Sequence, residues 1–280
     1  MKSRLIPVFL CFVMVVAVLL PMLTPEASAN TPAATSIRLD GVHLNLTNPL
    51  RMVGSTIYVP LVDFCKTSSR AHVVRENDKD SITVFVPGLR IDANNGSIYL
   101  RANGRYLFVQ DGCRVIDGVM YVPLRQLVTA FGMKLSMDTA SDEVILQRAD
   151  GPIKHGDSYY DEDELFWLSR IIDAESRSEV FIGKVAVGQV VINRTQSDMF
   201  PDTIYDVIFD RHHGVQFTPA HRPSFRERTP SYDCIVAAKL ALEGADIVGF
   251  SLYFNWKNAN SWASRNRTYI MTIGNHDFFA

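Results

Sequence analysis

One carboxylate in the sequence stands where an apolar helix face would otherwise continue. After an acidic start at residues 161–164, apolar side chains recur at steps of three and four, and the next position on that face is Glu175; the face consists of Leu165, Leu168 and Ile172. This spacing predicts an amphipathic helix. Burial of a carboxyl group raises its pKa towards the range that a general acid needs near neutral pH. Glu175 is therefore the candidate catalytic acid.

A purely structural role for Glu175 is the alternative. Its carboxylate could pair with Arg177 or Arg194, or cap the following helix. Glu179 lies one turn further on, and it would share the face only if the helix continued through residues 176–178. The residues alone leave both roles open.

The elements around Glu175 predict a mixed α+β domain. Residues 180–194 are apolar on nearly all sides, which is typical of a central, buried helix. A short helix is expected over 202–209 and an amphipathic helix over 231–243, ended by Gly244. Two aromatic-rich strands are expected at 251–255 and 269–279, with a turn between them at 258–268.

Three histidines fall in a basic loop between these helices. His212, His213 and His221 could in principle bind a metal, but their spacing matches no standard ligand motif. A solvated basic loop is the favoured interpretation. We expect no metal and no cofactor, and the role of these histidines stays open.

The N-terminal part of the chain repeats itself. Tyr58-Val59-Pro60-Leu61 recurs as Tyr121-Val122-Pro123-Leu124, and each copy predicts a strand, a short helix and then hairpin strands. Gly132 is placed to cap the second helix. No part of the repeat carries His, Asp, Glu or Ser at catalytic spacing, and its polar residues fall in turns.

The first 29 residues predict a secretory signal peptide. Lys2 and Arg4 precede an apolar run over residues 6–23, and Ala27-Ser28-Ala29 follows as a cleavage site; a retained membrane anchor is the alternative. The formal net charge of −2 gives no general attraction to nucleic acid. After removal of Cys11 three cysteines remain, enough for one disulfide at most.

Residues 36–148 resemble the stalk domain named after the N-terminal domain of copper amine oxidases. The resemblance is carried by the segments Val119–Arg125, Ala130–Gly132 and Asp142–Leu146. It implies an attachment or spacer module that contacts the cell envelope, with no copper site. Residues 149–157, with Gly151, Pro152 and Gly156, are the expected linker.

Residues 158–280 resemble the SleB-like cell-wall hydrolases, the family of spore cortex-lytic enzymes. The matching segments are Arg170–Glu179, Val185–Arg194, Gln216–Pro219, Leu252–Asn255 and Ile273–Phe279. The resemblance implies a small lysozyme-like domain and a lytic transglycosylase acting on the bond between N-acetylmuramic acid and N-acetylglucosamine in spore cortex or cell wall. The family's catalytic glutamate falls on Glu175. By family position, the substrate-binding residues would be Gln216, Phe217, Tyr253 and Asn255.

Two other functions remain open at this point. The sequence departs from the family at Ala174 and Ser178, which replace glycines, and at Trp256, which replaces a proline. One rival is a zinc amidase that cuts between glycan and stem peptide, for which no convincing ligand set can be assembled. The other is an envelope-binding protein without activity. All three interpretations give peptidoglycan as the partner and an extracytoplasmic location, with no transmembrane segment after signal cleavage.

Overall fold

A computed structural model of the protein describes residues 36–69, 72–75, 79–212 and 214–280. The predicted signal peptide, Cys11 and His213 lie outside these ranges. Within them, no helix is both long enough and apolar enough to cross a membrane. The cysteines in these ranges, Cys65, Cys113 and Cys234, are buried and free, so they do not form the disulfide that the sequence allowed.

The N-terminal part is built from short strands and two helices. In chain order these are β1 Ser36–Leu39, β2 Val42–His43, β3 Arg51–Val53, β4 Thr56–Pro60, α1 Leu61–Ser68, β5 His72–Arg75, β6 Ser81–Val86, β7 Leu89–Asn94, β8 Tyr99–Ala102, β9 Arg105–Phe108, β10 Arg114–Ile116, β11 Val119–Pro123, α2 Leu124–Phe131, β12 Met133–Asp138 and β13 Glu143–Arg148. The strand orders in its sheets are β12-β13-β1-β2, β10-β11-β4-β3 and β5-β6-β7-β8-β9.

The sequence repeat has a structural counterpart in the pairing of β4 with β11. The two strands are antiparallel, with Val122 opposite Val59 and Pro123 opposite Tyr58. Each proline ends its strand and precedes a helix, α1 or α2. The predicted strand and helix of each copy are confirmed.

Gly132 ends α2 in the left-handed conformation that the sequence predicted for a helix cap. Its φ is 62°, and its N–H donates to the carbonyl of Thr129. A Cβ atom at this position would lie 1.8 Å from the carbonyl oxygen of Gly151. Only glycine therefore fits, because both the backbone angle and the approach of the linker exclude a side chain.

The C-terminal part packs helices against a small antiparallel sheet. Its elements are α3 Glu162–Ser176, α4 Phe181–Thr195, α5 Ile204–Phe209, α6 Tyr232–Leu242, β14 Tyr253–Trp256, α7 Trp262–Asn266, β15 Tyr269–Ile273 and β16 His276–Phe279. The strand order is β14-β16-β15. The whole described chain is thus α+β, as predicted, with a β-rich N-terminal domain and a C-terminal domain of helices and a small sheet.

Helix α4 is the central helix of the C-terminal domain, as its apolar sequence predicted. Its residues from Gly183 to Val191 are buried throughout. At Gly188, a Cβ atom would lie 2.8 Å from Ile172 on α3 and 3.1 Å from Ala241 on α6. The absence of a side chain at this point lets three helices meet, which fixes the position of α3.

Two local predictions in the C-terminal domain are wrong. Residues 269–279 were expected to form one strand, but Gly274, with φ 56°, turns the chain so that β15 and β16 form a hairpin. The segment 258–268 was expected to be a turn, but it contains α7. Ser261 begins this helix with a capping box, in which Ser261 and Ser264 bond to each other's backbone N–H groups.

The two domains contact each other through the β8–β9 hairpin. Tyr106 on β9 is part of the C-terminal hydrophobic core, and Tyr99 and Phe108 pack against that core. The linker also packs on the N-terminal domain, since the N–H of Gly156 donates to the carbonyl of Asn103 over 2.8 Å. The linker is therefore held along the surface of the N-terminal domain at this point.

Candidate active site

Helix α3 carries Glu175 to the edge of a cleft. Asp161 caps the start of α3 by accepting a hydrogen bond from the N–H of Glu164 over 3.0 Å. Along the predicted face, Leu168 and Ile172 are fully buried and Leu165 is partly buried. Glu175 is the next residue on this face, and it lines a cleft of about 1060 Å³.

The carboxyl group of Glu175 lies in a poorly hydrated environment. Burial raises its pKa from 4.5 to about 7, although Arg194 and Arg222 act to lower it. Among the hydrogen bonds and ion pairs of the described residues, none involves the Glu175 side chain. A carboxyl with this pKa is protonated in about half of the molecules at neutral pH, so it can donate a proton or accept one.

Asp173, two residues earlier, has a structural role. Its buried side chain accepts hydrogen bonds from Arg228 over 2.5 Å, from Arg177 over 3.1 Å and from the N–H of Ser231 over 3.0 Å. Burial acts to raise its pKa, but these partners hold the pKa below its ordinary value. Arg177 therefore pairs with Asp173 and not with Glu175, and the structural alternative based on Arg177 is wrong.

Glu179 lies beyond the end of α3 and holds the β15–β16 turn. Its two carboxylate oxygens accept hydrogen bonds from the N–H and the side-chain amide of Asn275, each over 3.0 Å. Burial acts to raise the pKa of Glu179, and the two hydrogen bonds lower it below its ordinary value. Glu179 is ionised at neutral pH, which makes it unsuited to donate a proton.

Arg194, at the C-terminal end of α4, is a buried cation beside the candidate acid. Its side chain donates to the carbonyl of Leu252 over 2.7 Å. The guanidinium carbon lies 4.7 Å from the ring centre of Phe200 and 5.0 Å from that of Phe217. Burial lowers its pKa to about 10, so it remains charged at neutral pH. The same arginine lines the cleft.

All four predicted substrate-binding residues line the cleft together with Glu175. Gln216 and Phe217 come from the basic loop, and Phe217 is only 1% exposed, so it forms part of the wall. Tyr253 and Asn255 come from β14, and Asn255 accepts a hydrogen bond from the hydroxyl of Ser261. The structure brings these residues to one place, and their roles stay predictions.

The basic loop folds into short turns. His221 Nδ1 is hydrogen-bonded to Arg211 Nη2 over 2.8 Å, and His212 Nδ1 lies 3.8 Å from Asp210 Oδ1. In the described part of the chain, no group of three or more His, Cys, Asp and Glu side chains is placed to hold a metal ion. The third histidine of the loop, His213, lies outside the described residues.

Several cleft residues were not predicted from the sequence. Asp198 adds a second, exposed carboxylate, and Trp256 and Trp262 present large aromatic surfaces that are 62% and 52% exposed. Arg267 and His276 complete this side of the cleft. The exception to the family pattern at Trp256 was the one sequence signal that could have indicated an aromatic wall here.

Comparison with protein families agrees with this two-domain arrangement. Residues 38–146 match the model of the copper amine oxidase N-terminal domain, and residues 178–279 match the cell wall hydrolase model. The C-terminal domain is a cell wall hydrolase domain. Glu175 lies three residues before the range matched by the hydrolase model, so the match itself does not assign the acid.

Curated relatives of this cell wall hydrolase domain carry the name spore cortex-lytic enzyme. One, from Halalkalibacterium halodurans, is 31% identical over 142 residues, which are 50% of this chain and 41% of the relative. Another, from Bacillus cereus, is 33% identical over 120 residues, which are 42% of this chain and 45% of the relative. The chain thus spans less than half the length of these relatives.

Among solved structures, the catalytic domain of the germination-specific lytic transglycosylase SleB from Bacillus anthracis is similar to this chain. It is 31% identical, with a TM-score of 0.40, and the match covers 46% of this chain and all of that domain. The catalytic domain of the Bacillus cereus SleB protein matches with a TM-score of 0.39 and 32% identity over 43% of this chain and 92% of that domain.

Proposed function

We propose that this protein cleaves the glycan strands of peptidoglycan as a lytic transglycosylase, with Glu175 as both acid and base. The observation that carries the proposal is the Glu175 carboxyl itself. It lines a large cleft, it is buried enough for its pKa to rise to about 7, and the described residues offer it no salt bridge that would hold it ionised. The name of the curated relatives, spore cortex-lytic enzyme, supports peptidoglycan as the substrate.

The reaction needs only one carboxyl group when the sugar supplies its own nucleophile. Protonated Glu175 gives its proton to the glycosidic oxygen as the bond from that oxygen to the anomeric carbon of N-acetylmuramic acid breaks. The 6-hydroxyl of the same ring then forms a bond to the anomeric carbon, and its proton passes to the Glu175 carboxylate. The products are a new free 4-hydroxyl on N-acetylglucosamine and a 1,6-anhydro ring. Acid–base assistance of this kind is worth about 10²–10⁴-fold in rate.

Arg194 and the burial of Glu175 each support one half of this cycle. The charge of Arg194 favours the carboxylate of Glu175 after the first proton transfer, and burial of the same carboxyl favours the protonated form before it. The two influences oppose each other, and the resulting pKa near neutrality lets one group act in both directions.

The remaining cleft surface suits a chain of sugars. Tyr253, Trp256 and Trp262 offer aromatic faces, and the side chains of Gln216 and Asn255 offer amide groups to hydroxyl and acetamido groups. We assign substrate binding to Gln216, Phe217, Tyr253 and Asn255 on this basis. The names of the curated relatives favour spore cortex as the substrate.

The placement of the protein in the cell is part of the proposal. A signal peptide over residues 1–29 would deliver the chain across the cytoplasmic membrane, where its substrate lies. The domain over residues 36–148 would contact the cell envelope, residues 149–157 would link it to the enzyme, and residues 158–280 would perform the chemistry.

The deciding experiment is digestion of purified peptidoglycan with the full mature chain, followed by mass spectrometry of the soluble products. We expect muropeptides that end in a 1,6-anhydro ring. Muropeptides with ordinary reducing ends would indicate hydrolysis by water. In that case Asp198 would be the second carboxylate and would act as the general base. Freed stem peptides would indicate an amidase, and no release would indicate a non-catalytic envelope protein.

A further inference from the structure

The cleft contains buried polar nitrogens that the protein leaves without hydrogen-bond partners. Arg194 Nη1, Arg267 Nε and His276 Nδ1 are buried nitrogens with no hydrogen-bond partner in the described part of the chain, and all three residues line the cleft. Buried polar atoms are nearly always paired, so unpaired ones that gather in one place need an explanation.

Arg194 also lacks a charge partner at close range. It is 4% exposed, and within the described residues no carboxylate lies within 4 Å of its guanidinium. Its surroundings are mainly aromatic, with Tyr253 5.6 Å from the guanidinium carbon as the third ring around it. Because burial weakens screening, the charge of Arg194 acts strongly on the cleft.

Arg267 also contacts Tyr253. Its guanidinium carbon is 5.1 Å from the Tyr253 ring centre and 4.8 Å from that of Trp262, and it donates to the Tyr253 hydroxyl over 3.3 Å. No ion pair of Arg267 occurs among the described residues either. Two guanidinium groups therefore lie within 6 Å of one aromatic ring without a neutralising carboxylate in contact with them.

The chemistry of these groups defines what they can bind. A guanidinium donates hydrogen bonds and accepts none, so its partner must supply acceptor oxygens, and carboxylate oxygens suit it best. Of the two sugars in peptidoglycan, N-acetylmuramic acid alone carries such a group beyond its acetamide: the lactyl side chain, ending in a free carboxylate or in the first peptide carbonyl.

We propose that Arg194 and Arg267, which both contact the ring of Tyr253, form a subsite for the lactyl acyl oxygens of N-acetylmuramic acid. This assignment rests on the proposed glycan-cleaving function and names its specificity residues. Arg267 donates the hydrogen bonds, and Arg194 supplies positive charge. Since Glu175 lines the same cleft as both arginines, the subsite places the muramic ring, rather than the glucosamine ring, with its anomeric carbon at the acid. The subsite thereby selects which of the two alternating glycosidic bonds is cleaved.

Binding measurements on the full mature chain carrying Glu175→Gln test this subsite without interference from turnover. The probes are the disaccharide of N-acetylglucosamine and N-acetylmuramic acid with a free lactyl carboxylate, the same disaccharide with L-alanine attached, and chitobiose, which has no lactyl group. We expect Arg267→Gln to weaken both muramic probes about tenfold or more, the usual worth of a charge-assisted hydrogen bond, and to leave chitobiose unchanged. Stronger loss for the free acid than for the alanyl form indicates a carboxylate site, and equal loss indicates a carbonyl site.

Arg265→Gln is the matched control. Arg265 is an exposed arginine on α7, the short helix that ends just before Arg267, and it does not line the cleft. Arg267→Lys keeps the charge and loses the planar guanidinium group, so its affinity for the muramic probes should lie between those of the parent and of Arg267→Gln. Arg267→Lys replaces Arg267→Gln in the test if the glutamine variant fails to fold. Equal affinities for Arg267→Gln and Arg265→Gln, or an equal loss for chitobiose, would overturn the subsite. If the parent binds all probes alike while the wild-type chain releases anhydro-muropeptides, the subsite fails and the proposed function stands. If the parent binds none of the probes and the wild-type chain releases nothing, the function fails.

Discussion

Arg105 on the β8–β9 hairpin and Glu243 at the end of α6 form a bidentate ion pair between the two domains. Arg105 Nε donates to Glu243 Oε1 over 2.7 Å, and Nη2 donates to Oε2 over 2.6 Å. The hydroxyl of Tyr160 donates to the same carboxylate over 2.8 Å and accepts from the N–H of Tyr106. The hydrolase domain is therefore joined to the N-terminal domain by a buried polar network as well as by the linker.

We expect Arg105→Met to destabilise this junction. The side chains of Arg105 and Glu243 are only 13% and 4% exposed, and loss of one partner leaves a buried charge without compensation, a cost of about 3 kcal/mol. The measurement is thermal unfolding of the full mature chain at neutral pH, where the midpoint should fall by several degrees.

Arg90→Met is the control for this prediction. Arg90 pairs with Asp92 on the same strand, β7, but the Arg90 side chain is 51% exposed, and such surface pairs contribute about 1 kcal/mol or less. If Arg105→Met and Arg90→Met unfold at the same temperature, the Arg105–Glu243 contact between the domains does not stabilise the fold, and the N-terminal domain is a separable spacer.

Asp198→Asn separates a one-carboxylate from a two-carboxylate mechanism. Asp198 lines the cleft and is exposed. If the 6-hydroxyl of the sugar is the nucleophile, no second carboxylate is needed, so we expect turnover within about threefold of the wild type and unchanged anhydro products. A loss of about 10²-fold or more would show that Asp198 activates a nucleophile and would exclude the proposed mechanism.

The sequence predicted Glu175 because helix periodicity is local. Three apolar residues on one face were enough to place the carboxyl beside the core, and the family pattern located four further cleft residues. Arg267 and His276 could not be predicted in this way. They reach the cleft only because Gly274 folds β15 against β16 and because α7 forms inside a segment whose polar composition is typical of a turn.

The partners of buried charges were equally beyond sequence reasoning. Arg177 lies four residues after Asp173, a spacing at which helical side chains meet, and only two residues after Glu175, a spacing at which they do not. The other partners of Asp173, Arg228 and Ser231, are more than 50 residues away along the chain. Spacing predicts which residues can meet on one helix, whereas tertiary packing decides which of them do.

The pH dependence of turnover should follow the protonation of Glu175. Because its pKa is raised to about 7, the protonated form that the first step needs disappears as the pH rises through neutrality. We expect kcat/KM on soluble glycan fragments to fall about tenfold for each pH unit well above 7. An acid with an ordinary carboxyl pKa would instead give a decline that begins near pH 4.5, and a profile of that kind would contradict the assignment.

Glu175→Gln should abolish glycan cleavage while it stabilises the fold. Glutamine has nearly the shape of a protonated glutamic acid, so packing on the face of Leu168 and Ile172 is preserved, but it has no proton to give. We expect turnover to fall by about 10²–10⁴-fold with little change in binding to insoluble peptidoglycan. The measurement is release of anhydro-muropeptides by mass spectrometry.

The stability of the same variant follows from the raised pKa. Below pH 4.5 the Glu175 carboxyl is protonated in both the folded and the unfolded chain, so it contributes no pH dependence. Between pH 4.5 and about 7 the unfolded chain loses this proton first, and the wild type is destabilised as the pH rises. The full difference above pH 7 is about 3 kcal/mol. Glu175→Gln is free of this penalty, so it should melt several degrees higher than the wild type at pH 7.5 and at about the same temperature at pH 4.

Glu179→Gln should have the opposite effect on stability from Glu175→Gln at neutral pH. The ionised Glu179 accepts two hydrogen bonds from Asn275, and its lowered pKa means that this carboxylate stabilises the fold at neutral pH and loses that contribution as the pH falls. A glutamine offers only one acceptor oxygen, so Glu179→Gln should melt lower than the wild type at pH 7.5 and keep most of its turnover when folded. Near-normal turnover in Glu175→Gln would exclude Glu175 as the acid, and a large loss of turnover in folded Glu179→Gln alone would place the acid at Glu179.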